Sequence, residues 1–164
     1  MTFTLRRRLS LVFPLALALT AVSAPETALA TKSGSTDAGI AFVTGGVSED
    51  QRTQMRSERR GYSYWLSTAA RGSGAYLADV QVRITEAVGG KLVLEVNMDG
   101  PWLFVALPQG RYAVQATYAD GRGGRPETQR ASPQIGSGQD LQPSMLYFSS
   151  DEPLAKPQAD GATP

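Results

Sequence analysis

The chain has 164 residues, 16 Lys and Arg against 15 Asp and Glu, 41% hydrophobic residues, no Cys and no His. That length suits one ordinary domain with tails. Without Cys or His, the chain has no disulfide, no acylated cysteine, no Ser-His-Asp triad, no Cys-His pair and no His-based zinc site.

Residues 1–30 read as an export signal. Arg6, Arg7 and Arg8 form the positive start, residues 9–24 are apolar, and Ala28-Leu29-Ala30 is a small-x-small cleavage pattern. Val22-Ser23-Ala24 offers a second site, but Pro25 after it hinders cleavage, so cutting is expected after Ala30. The apolar run is shorter than the ~20 residues that span a bilayer, so the mature chain is expected to have no transmembrane span. Removal of three Arg and one Glu leaves 13 basic against 14 acidic residues, net −1. That balance gives no field favouring nucleic acid. The expected compartment is the periplasm, with secretion as the alternative.

Residues 31–46 are small and polar, rich in Ser, Thr and Gly, and are expected to form a flexible lead. Ile40-Ala41-Phe42-Val43 interrupts them as a short strand or a patch that docks on the domain. A short polar helix is expected over 47–61. Ser48 with Gln51 forms a capping box, and Glu49 and Asp50 suit the positive end of a helix. Arg59, Arg60 and Gly61 suit its C-terminus. Met55 is its one strong apolar residue, so the helix is expected on the surface or crossing to the domain edge. Arg52, Arg56, Arg59 and Arg60 share one face at i, i+4 spacing. They are the basic-face candidates for anionic headgroups or an acidic partner, although Glu49, Asp50 and Glu58 dilute the face.

The period changes at Tyr62. Tyr62-Ser63-Tyr64-Trp65-Leu66 is aromatic and β-rich. Val80, Val82 and Ile84 alternate with Gln81, Arg83 and Thr85. Gly89-Gly90 is a hairpin turn, after which Leu92, Leu94, Val96 and Met98 share a face. Residues 102–107 are almost wholly apolar, as in a strand covered on both sides. Pro108-Gln109-Gly110 reverses the chain into the alternating Tyr112, Val114, Ala116 and Tyr118. Residues 127–135 form a weak polar strand that Pro133 assigns to an edge, and residues 141–148 close the domain. This spacing predicts an all-β antiparallel sandwich of about seven strands over 62–149. Residues 150–164 are rich in Pro, Ala and Asp and are expected to be disordered.

Three segments carry a resemblance: Ala75-Tyr76-Leu77-Ala78-Asp79-Val80-Gln81-Val82, Asp99-Gly100-Pro101-Trp102, and Leu107-Pro108-Gln109-Gly110-Arg111-Tyr112. Together they resemble the carboxypeptidase regulatory-like family. Within that family the likeness is to a group of uncharacterised exported proteobacterial proteins, whose helix start is similar to Gly45-Gly46-Val47-Ser48-Glu49-Asp50. The resemblance implies a transthyretin-like, Ig-like β-sandwich and covers residues 45–149. It implies no activity, since the purine-pathway hydrolases of that fold use His and the regulatory domain is not the peptidase. In physical terms the Leu-Pro-x-Gly-x-Tyr turn builds a scaffold. Pro108 presets φ, Gly110 permits positive φ, and the Tyr112 hydroxyl bonds near the turn.

No catalytic, cofactor or metal residue is assigned. Asp79, Glu86, Glu95 and Asp99 are read as solvated strand ends and faces. Tyr62, Tyr64 and Trp65 are the candidates for a ligand platform, with Tyr62 and Tyr64 on the face opposite Trp65. The expected function is a non-enzymatic exported module that binds a protein or envelope component. A carbohydrate-binding module and a carboxylate hydrolase are the alternatives.

Overall fold

The computed structural model describes residues 31–120, 125–138 and 140–149. The expected export signal and the expected disordered tail lie outside these residues. A hairpin of β1 (Lys32–Ser35) and β2 (Ala41–Gly45) leads into α1 (Glu49–Glu58) and a 3₁₀ turn at Arg59–Gly61. Then follow β3 (Tyr64–Ala70), β4 (Val80–Glu86), β5 (Leu92–Met98), β6 (Trp102–Val105) and β7 (Gly110–Tyr118). The last described strands are β8 (Glu127–Ala131), β9 (Gln134–Ile135) and β10 (Gln142–Phe148).

Two five-stranded sheets face each other. Sheet 1 has the order β1-β2-β6-β3-β10. Sheet 2 has the order β5-β4-β7-β8, with β9 also paired to β7. The core between them follows the alternation in the sequence. Val80, Val82 and Ile84 of β4 are fully buried while Gln81 and Arg83 between them are exposed. Val114 of β7 extends this layer in the same sheet, and Tyr64 and Leu66 of β3, Leu103 and Val105 of β6 and Phe148 of β10 fill the opposing layer. Burying each such side chain contributes roughly 1.5–3 kcal/mol.

The turns obey local chemistry with one exception. Gly89 and Gly90 have φ of 81° and 65°, left-handed values that glycine adopts freely, and they close a four-residue loop over 87–90 that Glu86 N–H seals by donating to the Lys91 carbonyl. Gly110 departs from expectation and does not adopt positive φ. The Tyr112 ring packs over it, at ordinary contact distance, 3.4 Å, from where a Cβ would stand. The Tyr112 hydroxyl donates to the Pro108 carbonyl at 2.8 Å, as expected near the turn.

The structure revises the expected boundaries. Residues 31–46 are not a flexible lead but supply β1 and β2. Phe42 lies opposite Val105 and Val43 opposite Phe104, so the short apolar run adds to both faces of sheet 1. Gly34 on β1 admits the Phe42 ring, which would stand 2.9 Å from an added Cβ. The sandwich therefore begins at β1, before the helix, and has more than the expected seven strands. It is not wholly antiparallel either, because β10 runs parallel to β3 from Gln142↔Tyr64 to Phe148↔Ala70. The expected weak strand over 127–135 splits at Ser132-Pro133 into β8 and β9, with Pro133 reduced to a carbonyl that accepts from Tyr112 N–H.

Candidate functional site

The outer face of sheet 1 carries an aromatic layer. Trp102 and Phe104 of β6 project outward, opposite in sense to Leu103 and Val105, and meet Val43 of β2 and Met55 of α1. Trp65 of β3 lies edge-on to Trp102 and to Phe104, with ring centroids at 5.2 and 5.7 Å. Tyr62 tilts against Phe104, and Tyr76 meets Trp102 edge-on. The apolar run of β6 is thus covered on both sides, as its sequence requires, and the second cover is the polar helix.

A single methionine suffices to seat this helix because its polar residues also hold it down. Ser48 caps it by accepting from Gln51 N–H at 3.2 Å. The Gln51 carbonyl oxygen reaches past the expected capping-box position and accepts from Gly46 and Val47 N–H. Arg52 donates to the Gly46 and Val47 carbonyls and to Glu49, with its guanidinium over the Tyr76 ring. Arg56 pairs with Glu49 at 3.1 Å and lies 5.1 Å from the Trp102 ring centroid. These bonds from Arg52 and Arg56 hold the exposed Glu49 carboxyl below its ordinary value of 4.5.

Two glycines make the entry possible. Gly46 has φ of 86°, and a Cβ there would come within 3.1 Å of the Trp102 ring. A Cβ on Gly100 would collide with the Gly45 carbonyl.

The expected basic face is therefore divided. Arg52 and Arg56 turn inward onto aromatic rings and Glu49. Arg59 and Arg60 lie exposed in the 3₁₀ turn. Arg60 borders a cleft of about 260 Å³ lined also by Tyr62, Ser63, Leu107 and Pro108. The expected ligand platform is divided as well. Tyr64 is fully buried between the sheets, and desolvation pushes its hydroxyl up to about 12. The nearby Ser144 acts in the opposite direction, yet the buried hydroxyl has no hydrogen-bond partner. Tyr62 does not share a face with Tyr64, because it precedes β3 and folds back over Phe104. Burial, and then Glu58, raise its pKa. Of the three candidates, Trp65 and Tyr62 are half-buried on the outer face.

Beyond the helix, no other described element covers the outer face. Met145 and Tyr147 of β10 are 45% and 48% exposed and lie opposite Ser67 and Ala69 of β3 in the ladder. With Trp65 and Tyr76 they continue the apolar layer to the sheet edge. The sequence reading passed over Met145 and Tyr147 as closing residues. The signal was there, since they alternate with the buried Leu146 and Phe148.

A second cleft, of about 370 Å³, shares Pro108 with the first and is bordered also by Glu86, Val88, Arg111 and Tyr112. The expected solvated carboxylates are exposed. Asp99 pairs with Lys32 at 3.8 Å and Glu95 with Arg83 at 3.2 Å. Among the described residues no group of three His, Cys, Asp or Glu side chains is placed to hold a metal ion. No helix among them is long and apolar enough to cross a membrane. No family model and no curated protein matches this chain.

Proposed function

We propose that the chain is an exported, non-enzymatic β-sandwich module of the carboxypeptidase regulatory-like kind, and that it binds a protein or other envelope component through the outer face of sheet 1. The observation that carries this reading is the apolar strip of Trp65, Met145 and Tyr147, which the helix leaves open. Two half-exposed large apolar side chains beside a tryptophan are more than scattered surface residues, and contiguous apolar surface marks interaction sites. The export part of the proposal rests on Arg6 to Arg8 and the Ala28-Leu29-Ala30 pattern. The family part rests on the sequence resemblance, with a two-sheet sandwich as the supporting architecture.

The carbohydrate alternative is weaker. Its platform loses Tyr64 to the core, and Trp65 stands edge-on to both neighbouring rings instead of presenting a flat stack. A carboxylate hydrolase finds no support in Glu95 and Asp99, each engaged by a cation on the surface.

Site-specific photo-crosslinking in an exporting host tests the proposal. A photoreactive residue at Tyr147 is expected to capture a defined envelope component. The same group at Gln81, exposed on sheet 2, is expected to capture none. Equal capture from both positions, or none from either, contradicts the reading.

A further inference from the structure

Among the described residues β10 has a strand partner on one side only, and its other edge points to self-association. In the parallel ladder, Gln142 N–H donates to Ser63 and the Phe148 carbonyl accepts from Arg71 N–H. Backbone groups alternate direction along a strand. Gln142, Ser144, Leu146 and Phe148 therefore bond to β3, while Pro143, Met145 and Tyr147 aim their backbone groups outward. These outward groups are unequal. Pro143 has a carbonyl but no N–H. Met145 has both. Tyr147 has a free N–H, but its carbonyl already accepts from Arg71 Nη2 at 3.3 Å. Beyond it, Ser149 N–H is taken by Glu127 Oε2 at 2.6 Å.

This irregular set of donors and acceptors is self-complementary in one antiparallel register. With Met145 on a two-fold axis, each Met145 exchanges both hydrogen bonds with its counterpart. Each Tyr147 N–H then donates to the Pro143 carbonyl of the second copy. The missing Pro143 donor falls opposite the Tyr147 carbonyl, which already has a donor in Arg71, so no group is left without a partner. Shifting the axis to Ser144 puts the Met145 carbonyl opposite the missing Pro143 donor. Shifting it to Leu146 sets Met145 N–H against the Tyr147 carbonyl that Arg71 already shares, and puts the Pro143 carbonyl opposite the Ser149 N–H that Glu127 takes. The same register lays Tyr147 over Pro143 and Met145 against Met145 on the outer face, so exposed apolar groups meet their own kind.

We propose that β10 pairs antiparallel with β10 of a second copy about Met145, joining the two sheets of five strands into one continuous sheet. Such an interface is isologous, as a closed dimer requires. The pairing stands independently of what the outer face binds.

The absence of native cysteine makes a clean test. Paired residues in a hydrogen-bonded antiparallel site have Cα atoms about 5.5 Å apart, within the reach of a disulfide. Under mild oxidation the purified Met145→Cys chain is expected to become mostly disulfide-linked dimer. Leu92→Cys, equally exposed on the edge strand β5, is expected to stay mostly monomeric. By sedimentation the unsubstituted chain is expected to be dimeric and Met145→Pro monomeric. Met145→Pro removes no hydrogen bond to β3, and an unchanged circular dichroism spectrum shows that the strand accepts the fixed φ of proline. A monomeric unsubstituted chain, equal cross-linking at both cysteines, or a dimer that survives Met145→Pro overturns the proposal. In that event Pro143 and Arg71 serve to keep the edge unpaired.

Discussion

The Arg56 guanidinium lies 5.1 Å from the centroid of the Trp102 ring while Glu49 pairs with it from the same helix. This relationship explains how a polar helix becomes part of a core. The ring supplies apolar area and a face for the cation, and the helix supplies Met55 and the arginine stem. Trp102→Ala is therefore expected to cost about 3–5 kcal/mol, the range for deleting a buried aromatic. Arg56→Ala is expected to cost only about 0.5–1 kcal/mol at its half-exposed site. Denaturant unfolding of the two variants checks the order, and near-equal losses contradict it.

Gly100→Ala is expected to be among the most damaging small substitutions. The new Cβ meets the backbone carbonyl of Gly45, which has no rotamer through which to escape. Gly90→Ala provides the comparison. It has open space around it but a φ of 65°, so its cost is conformational alone, about 1–2 kcal/mol. Thermal unfolding is expected to show the larger loss at Gly100.

Tyr64 makes the chain sensitive to alkali. Its pKa rises from 10.0 to about 12 because burial disfavours the phenolate. The stability this provides is complete below pH 10, where folded and unfolded chains both keep the proton. It is lost as pH rises from 10 towards 12, because the unfolded chain ionises first. Tyr64→Phe is expected to flatten that decline. At neutral pH it is expected to be neutral or stabilising, since it removes a buried hydroxyl without a partner. An equally steep alkaline loss in the variant contradicts this account.

Acid acts through Glu49 in the opposite sense. Its pKa lies below 4.5 in the folded chain, chiefly through the hydrogen bond from Arg52 and then that from Arg56. Its contribution is present above pH 4.5 and is lost as pH falls through the folded value. Glu49→Gln is expected to show a shallower acid decline, and the difference is expected to shrink in high salt because the group is exposed. A pH profile with the unchanged slope contradicts the assignment.

Much of the sandwich was legible because its signals are local. The alternation of Val80, Val82 and Ile84, the Gly89-Gly90 turn and the Pro108 to Tyr112 turn each depend on a few adjacent residues. The two-sided cover of β6 was legible as a requirement, although the identity of the cover was not. Met55 alone gives a helix little amphipathic signal, and the contributions of Arg56 and Gln51 depend on partners brought close by the fold. The lead over 31–46 was misjudged because its Gly and Ser content resembles a linker, while the pairing of Phe42 with Val105 spans more than sixty residues of sequence. For the same reason, the parallel pairing of β10 and the exposure of Met145 and Tyr147 follow from which strand lies beside β3.

The central claim is that the uncovered face of sheet 1 serves recognition and not folding. The most direct measurement pairs stability with retention on isolated cell envelopes for the Met145→Ser/Tyr147→Ser double variant. The account predicts unfolding free energy within about 1 kcal/mol of the unsubstituted chain, as befits exposed positions, together with loss of envelope retention. Full retention by a folded double variant contradicts it.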